Sequence, residues 1–286
     1  MNFQHKRVSY GEHVFTVQKE VYEPAEDTFL LAGNLSVSIG EKVLDMGSGC
    51  GILGILAAEN ANEVVAVDVS PYAVTSTKKN AKINGVAAKI NVILGDLFHP
   101  IAEDEKFDVI IFNSPYLPVE LDEGGSWAEK AWCGGKDGRA VIDRFISQAP
   151  KHVSERGRIL LLQSTLSNVE KTLEGLSEQE FSSTIVDEMK LDFEGIVVIK
   201  ATRNRARRLL QSVMRERDAA ERNSVFRATI LFFICFGAFF TAECVFFSVA
   251  NSFVNREFAL LVFNLRVALF ALYEFCHFFA PSCFFR

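Results

Sequence analysis

The sequence predicts an α/β fold in which a mostly parallel sheet carries helices on both faces, followed by an apolar tail. Two observations predict the sheet. From residue 40 onward, short runs rich in β-branched residues alternate with amphipathic stretches long enough to be helices. Seven such runs can be counted, and no convincing helical stretch separates the last two. We therefore expect seven strands, with the last two forming an antiparallel hairpin.

The elements follow in order along the chain. The expected strands are Lys42–Met46, Glu63–Asp68, Lys89–Leu94, Phe107–Asn113, Gly157–Gln163, Ser183–Met189 and Gly195–Lys200. The expected helices are Ile52–Asn60, Pro71–Asn84, Gly138–Ala149 and Leu166–Leu176. Ser70 is a suitable N-cap, and Pro71 suits the first helical position. Leu117–Lys136 contains both Trp residues and several glycines and acids, which predicts a long loop over the strand ends.

A domain boundary is expected near Arg203, because the composition changes there. Residues 1–202 hold 19 Lys and Arg against 30 Asp and Glu, a net charge of −11. Residues 203–286 hold 11 Arg, no Lys and 6 acids, a net charge of +5. Of the 26 Phe residues, 17 lie in the last 61 positions. Residues 1–203 are therefore predicted to form one α/β domain, and residues 204–286 an apolar, Phe-rich tail.

The tail admits several interpretations. Phe226–Ala250 and Phe258–Ala280 are each long enough, as helices, to cross a hydrocarbon layer of about 30 Å. A membrane hairpin of residues 226–280 competes with a buried helical pair, an interaction segment and sequence without an evolved fold. The membrane hairpin is not favoured, because its charged residues would need partners inside the bilayer. We expect the tail to be helical or disordered, and its deletion to leave the function of residues 1–203 intact.

Charge and cysteine usage exclude several classes of function. The acidity of residues 1–202 argues against nucleic-acid binding, because proteins that depend on phosphate contacts usually present a basic face. The six Cys residues form no Cys-x-x-Cys pair and the His residues lack a ligand spacing, so neither a metal site nor a disulfide framework is expected. The polar N-terminus shows no signal-peptide pattern. A cytoplasmic protein without a bound metal is therefore predicted.

A glycine-rich turn, Asp45 to Gly51, follows the first predicted strand, and missing side chains there let a ligand approach the backbone. Asp68 ends the second strand, where a carboxylate can accept both hydroxyls of a ribose. At the end of the third strand, Asp96 and the backbone N–H of Leu97 can pair with an adenine. Acids at three successive strand tips match S-adenosyl-L-methionine better than a dinucleotide. The alternative is that Asp68 and Asp96 merely cap turns.

The tetrapeptide Asn113-Ser114-Pro115-Tyr116 follows the fourth strand and indicates the chemistry. The side-chain oxygen of Asn113 and the backbone carbonyl of Ser114 provide two acceptors for a flat NH2 group. Tyr116 can stack on that group, and Pro115 restricts the backbone. Two acceptors can aim the nitrogen lone pair at a methyl donor without a general base. Methyl transfer to a planar nitrogen is therefore predicted, with a purely structural turn as the alternative.

Together with Val21–Phe29 and Ala131–Arg139, these segments resemble the HemK family of protein-glutamine N5-methyltransferases, and most closely its compact archaeal and eukaryotic branch. The resemblance covers about residues 8–203. It implies the Rossmann-like fold of class I methyltransferases, S-adenosyl-L-methionine as methyl donor, and the glutamine of a Gly-Gly-Gln motif in a class I peptide-chain release factor as substrate. It also implies a small zinc-binding activator subunit as partner, covering an apolar sheet edge.

The resemblance assigns roles to individual residues. Those expected to contact the cofactor are Tyr22, Thr28, Asp45, Gly47, Gly49, Asp68, Asp96, Leu97 and Asn113. The expected catalytic group is Asn113, Ser114, Pro115 and Tyr116, with Asn113 also holding the glutamine amide. One departure matters, since the family's usual Asn-Pro-Pro-Tyr is Asn-Ser-Pro-Tyr here. The residue that supplies the backbone acceptor lacks the ring constraint, so looser alignment is expected.

Three alternatives remain open. Adenine N6 presents the same flat NH2 group, which leaves an adenine-N6 nucleic-acid methyltransferase as the nearest competitor. A protein-lysine methyltransferase would need a base to remove a proton from the ammonium, and none is evident. A cofactor-binding interaction module, possibly membrane-tethered, would result if Ser114 had ended catalysis. Trp127 and Trp132 are expected to pack in a lid rather than stack on a substrate.

Overall fold

The computed structural model describes residues 6–121 and 125–204. Apart from Asn204, the predicted tail at residues 204–286 lies outside the described residues, and so does the possible membrane hairpin at 226–280. Within the described ranges, no helix combines the length and the apolar character needed to span a membrane. The boundary near Arg203 stays a prediction.

Nine strands form two sheets in the described part of the chain. Two make an antiparallel hairpin, β1 (Lys6–Tyr10) and β2 (His13–Val17). The others form one sheet in the order β5-β4-β3-β6-β7-β9-β8. They are β3 (Lys42–Met46), β4 (Glu63–Asp68), β5 (Ile90–Leu94), β6 (Phe107–Asn113), β7 (Val153–Ser164), β8 (Phe181–Lys190) and β9 (Gly195–Arg203). β9 alone runs opposite to the other six strands, so the predicted seven-stranded sheet with a terminal hairpin is confirmed.

Six α-helices connect the strands in the described ranges. They are α1 (Glu26–Gly33), α2 (Ile52–Ala57), α3 (Pro71–Ile83), α4 (Trp127–Lys130), α5 (Ile142–Gln148) and α6 (Val169–Glu178). The predicted cap at Ser70 is confirmed, since its Oγ accepts from the N–H of Ala73. The helix predicted to begin at Gly138 begins only at Ile142, because Gly138 has a φ of +73°, outside the helical region. The helix predicted from Leu166 begins at Val169, after a 3-10 turn and the left-handed Asn168.

Some elements were not predicted. The β1–β2 hairpin covers α3, where the Asn80 side chain accepts from the backbone N–H of Thr16 (2.9 Å) and donates to its carbonyl (3.0 Å). Helix α1 follows the Pro24 segment, and α4 lies within the stretch predicted to be a loop. Sequence periodicity did not predict these elements, because each strand or helix is only four to eight residues long.

The core lies on both faces of the sheet. On the central strands, alternate side chains enter opposite layers, so that Val109 and Ile111 pack on one face and Ile110 and Phe112 on the other. All four are buried almost completely. Because the central strands are parallel, the carboxyl ends of β3, β4, β5 and β6 meet at one edge. Every residue of the candidate site lies at or near this edge or on a segment that folds over it.

Candidate functional site

A cavity opens at the carboxyl edge of the sheet, between the glycine turn, the segment before α1 and the segment after β6. Eleven of the twelve predicted site residues line it, and these are Tyr22, Thr28, Gly47, Gly49, Asp68, Asp96, Leu97, Asn113, Ser114, Pro115 and Tyr116. The structure thus brings together residues from five separate segments of the sequence. The role of each residue toward a ligand stays a prediction.

The glycine turn shapes the inner wall of the cavity. Gly47, Gly49 and Gly51 have φ values of +66°, +58° and +88°, a region that side chains with a Cβ rarely adopt. A Cβ on Gly51 would lie 2.9 Å from a side-chain carbon of Thr77, so α3 also excludes one there. The N–H groups of Gly47 and Ser48 donate to the carbonyl of Val67, at 2.8 and 3.1 Å. This turn leaves main chain, rather than side chains, facing the cavity.

Asp68 ends β4 and joins the turn to α3. Its Oδ2 accepts from the N–H of Gly49 and its Oδ1 from the N–H of Ser70, both at 2.8 Å. Burial raises the pKa of Asp68, while these backbone N–H bonds act in the opposite direction. The carboxylate is therefore held rigidly, and its remaining lone pairs can accept hydrogen bonds from a ligand in the cavity.

Asp96 and Leu97 form the far wall. Asp96 makes an ion pair with Arg144 of α5, a partner that the sequence did not reveal. Leu97 is buried and has a φ of +47°, which is costly for a residue with a branched side chain. An unfavourable backbone conformation is thus held beside the cavity.

Asp45 is the one predicted site residue that does not line the cavity. It is completely buried behind the glycine turn, where its Oδ2 accepts from the N–H of Gly54 at 2.8 Å. Its other oxygen, Oδ1, has no hydrogen-bond partner among the described residues. Burial, with a smaller effect of the Asp68 charge, raises the pKa of Asp45 to about 7. In this geometry the Asp45 side chain bonds to the backbone of α2 behind the glycine turn, and it does not reach the cavity.

Asn113 ends β6, and its amide has a defined orientation. The Nδ2 atom donates to Oδ2 of Asp27 at 3.1 Å and to Oγ1 of Thr28 at 3.2 Å. Both N–H bonds of the amide are therefore engaged on the α1 side. This leaves the amide oxygen, Oδ1, as the group available to a ligand in the cavity. The role of this oxygen as an acceptor for a substrate stays a prediction.

Asp27 was missed as a site residue, although it lies in a segment that the sequence singled out. Its carboxylate also accepts from the hydroxyl of Tyr22 (3.1 Å) and from that of Tyr116 (3.3 Å). Burial raises the pKa of both tyrosines, and the Asp27 charge adds to the effect. Asp27 therefore links α1 to two aromatic rings and to the end of β6. The position of this Asp within a family motif, directly before Thr28, was the signal that could have found it.

Ser114 replaces the ring of the usual proline with hydrogen bonds. It is buried, and its hydroxyl donates to the carbonyl of Leu162 on β7 at 2.8 Å. Its backbone N–H lies 3.4 Å from the same oxygen. These bonds tie Ser114 to the neighbouring strand, and the looser alignment expected here stays a prediction.

Residues 131–139 pack against the tetrapeptide Asn113–Tyr116. A Cβ on Gly138 would lie 2.3 Å from the carbonyl oxygen of Tyr116, so the two segments are in direct backbone contact. Arg139 is buried, and its guanidinium donates to the carbonyl of Asn168 at 2.7 Å and to Oγ1 of Thr172 at 3.0 Å. This motif, singled out by the resemblance alone, acts as a scaffold for the site.

Trp127 and Trp132 both line the cavity. Trp127 begins α4, which is closed by a capping box between Ser126 and Glu129. The Lys130 ammonium lies 4.7 Å from the centre of the Trp127 ring. Both Trp residues therefore lie on the cavity wall, and their packing within a lid stays a prediction.

Comparisons with known proteins show which proteins this chain resembles. A family model described as a methyltransferase small domain matches residues 21–125. A putative protein N5-glutamine methyltransferase of Methanocaldococcus jannaschii is 42% identical over 186 residues, covering 64% of this chain and 92% of that protein. The human methyltransferase HEMK2 is 32% identical over 196 residues, covering 65% of this chain and 91% of that protein.

One solved structure adds information about assembly. A chain of the E. cuniculi Mtq2-Trm112 complex, responsible for methylation of the translation termination factor eRF1, matches with a TM-score of 0.52 and 27% identity. The match covers 64% of this chain and 99% of that chain. The similarity therefore extends over nearly the whole of that chain.

Proposed function

Because this chain belongs to the HemK family of protein N5-glutamine methyltransferases, we propose that it methylates the glutamine of the Gly-Gly-Gln motif in a class I peptide-chain release factor. The observation that supports this most strongly is the orientation of Asn113, whose NH2 group is bound by Asp27 and Thr28. Its amide oxygen is then free to accept from the NH2 group of a glutamine. The E. cuniculi complex acts on a termination factor, which supports the substrate class.

S-adenosyl-L-methionine is the proposed methyl donor, and it would supply an electrophilic methyl group on a sulfonium. The residues of the cavity fit it. The left-handed glycines open the backbone for close approach, and the Asp68 carboxylate keeps lone pairs for ribose hydroxyls. Asp96 and Leu97 line the same cavity, and their carboxylate and backbone N–H would supply an acceptor and a donor for an adenine edge. Asp45, by contrast, does not line the cavity, and its Oδ2 accepts from the N–H of Gly54.

The residues of the chain align and polarise the nitrogen. Asn113 Oδ1 and the Ser114 carbonyl accept the two N–H groups of the glutamine amide, so its lone pair points out of the amide plane. Tyr116 stacks on this plane and excludes water from one face. Transfer would form a nitrogen–carbon bond and break the carbon–sulfur bond of the donor, and the methylated nitrogen would then release one proton to water. Catalysis is mainly alignment and preorganised polarity, and no residue needs to act as a base.

A labelled-methyl assay tests the proposal. Recombinant protein is offered a class I release factor, a variant of that factor with the motif glutamine changed to alanine, and double-stranded DNA. We expect label in the unmodified release factor alone, with mass spectrometry locating the methyl group on the glutamine. Label in DNA alone would replace this proposal with adenine-N6 methylation. Label retained in the alanine variant would indicate another acceptor, such as lysine.

We also propose a small zinc-binding activator subunit as the partner of this chain. The cytoplasmic location expected from the sequence is proposed as well. Both outer strands of the sheet bear exposed apolar side chains, among them Leu94 on β5 and Ile185 on β8. Such side chains on an open edge favour a protein that covers them. We expect co-expression with a Trm112-type subunit to raise soluble yield. Full activity and monodispersity without any partner would contradict this.

A further inference from the structure

We propose that Asp27 is a positioning residue that determines which end of the Asn113 amide faces the substrate, and that it thereby sets turnover. The inference rests on the proposed function and extends it to a residue that the family motif left without a role. Asp27 lies 86 positions before Asn113 in the sequence, so only the folded chain brings the two side chains together.

The physical problem is one of orientation. A side-chain amide fits its space almost equally well when its oxygen and nitrogen are exchanged, and only its hydrogen-bond partners select one arrangement. The reaction requires the oxygen of Asn113 to face the cavity, because a glutamine NH2 group offers only donors. If the Asn113 amide were reversed, its NH2 group would face the NH2 group of the glutamine, and no hydrogen bond could form between them. Something on the α1 side must therefore accept hydrogen bonds and offer none to the amide.

Asp27 meets this requirement. Its Oδ2 accepts from Asn113 at 3.1 Å, and a carboxylate has no donor to offer. The Thr28 hydroxyl gives its own hydrogen to Asp27 Oδ1 at 3.1 Å, so it too can only accept from Asn113. With the amide reversed, Asn113 Oδ1 would face two electron-rich oxygens and lose both bonds. Asp27 thus enforces one orientation directly and a second time through Thr28.

The surroundings of Asp27 argue against a role as a proton acceptor. Its two oxygens receive bonds from five donors: the backbone and hydroxyl of Thr28, the hydroxyls of Tyr22 and Tyr116, and the Asn113 amide. These bonds use the roughly four lone-pair sites that a carboxylate possesses. The side chain is only 6% exposed. Although it borders the cavity, it acts on the substrate through Asn113 and Tyr116.

The test is Asp27→Asn, which keeps the size of the side chain but adds an NH2 group opposite that of Asn113. We expect kcat for methylation of the release factor to fall about 10- to 100-fold, the loss associated with misplacing a reacting group by about 1 Å. The KM for release factor and the Kd for S-adenosyl-L-methionine should stay within threefold. The matched control is Asp187→Asn. The Asp187 carboxylate also accepts from a side-chain amide, that of Asn34 at 2.7 Å, but neither residue lines the cavity. That variant should retain wild-type kcat.

A second variant and a second readout keep the inference testable. Thr28→Val removes the second acceptor, together with the hydroxyl's own bond to Asp27, and should lower kcat about 3- to 10-fold, a smaller loss than that of Asp27→Asn. In 1H–15N spectra, the Asn113 NH2 signals, assigned by their loss in Asn113→Ala, should exchange slowly with solvent in the wild type and quickly in Asp27→Asn. An Asp27→Asn enzyme with kcat within threefold of wild type, or with unchanged NH2 signals, would overturn the inference. A wild-type enzyme that leaves release factor unmethylated would overturn the proposed function instead, and the spectra would still report the amide.

Discussion

Gly138→Ala offers a sharp test of how the tetrapeptide is held in place. Gly138 has a φ of +73°, and so does Gly85, which follows α3 far from the cavity. Alanine in this left-handed region costs about 1 kcal/mol at either position. The two sites differ in their surroundings, since a Cβ on Gly85 would meet nothing within 4 Å. Gly85→Ala therefore measures the backbone cost alone.

At Gly138 the added carbon meets the site itself. Its Cβ would lie 2.3 Å from the carbonyl oxygen of Tyr116, where real contacts essentially never fall below 3.0 Å, so this gap must widen by about 0.7 Å. Residue 138 cannot simply move away from Tyr116, because the same Cβ would lie 2.9 Å from Cβ of Ser167. The displacement must fall largely on Tyr116 and the neighbouring acceptors. Misplacement by about 1 Å costs on the order of 100-fold in rate.

We therefore expect Gly138→Ala to lower kcat about 10- to 100-fold, and Gly85→Ala to leave it within twofold. Overpacking should also destabilise Gly138→Ala by about 1–3 kcal/mol relative to wild type. The assay combines methyl incorporation into saturating release factor with urea unfolding of both variants. Calorimetric binding of S-adenosyl-L-methionine shows that each variant is folded during the assay. Equal kcat values for the two variants would refute the contact argument.

Three further predictions use other parts of the molecule. Asn113→Ala should abolish methyl transfer, as measured by label incorporation, while the calorimetric Kd for S-adenosyl-L-methionine changes by less than about tenfold, roughly 1.4 kcal/mol. Burial raises the pKa of Asp45 from 3.8 to about 7, so its contribution to stability is complete below about pH 4 and is lost as pH rises through 7. Urea unfolding across this range should show the wild type losing up to about 4 kcal/mol relative to Asp45→Asn, which keeps an acceptor for Gly54 but does not titrate. A chain ending at Asn204, whose N–H still donates to Glu180, should retain wild-type kcat, and a folded but inactive product would show that the tail contributes to function.

Local sequence signals determined the sheet and most of the cavity wall. β3, β4 and β6 were predicted to the residue, because each is an apolar run bounded by Gly, Asp or Asn. Parallel strands place their carboxyl ends at one edge, so Asp68, Leu97 and Asn113 could be expected there together. Helix boundaries were less predictable, since positive-φ residues such as Gly138 and Asn168 interrupt apolar patterns that look continuous.

Only the tertiary structure decided how the site residues are held. The sequence displays an Asn at the end of a strand, but it does not show which atom of the amide faces the ligand, and Asp27 decides that from 86 positions away. The Asp96–Arg144 pair and the contact of Gly138 with Tyr116 likewise join distant segments. Residue type and spacing are local properties, whereas the orientation of an amide depends on partners that folding brings within about 3 Å. The chemistry could therefore be predicted from the residues, but its alignment could be known only from the fold.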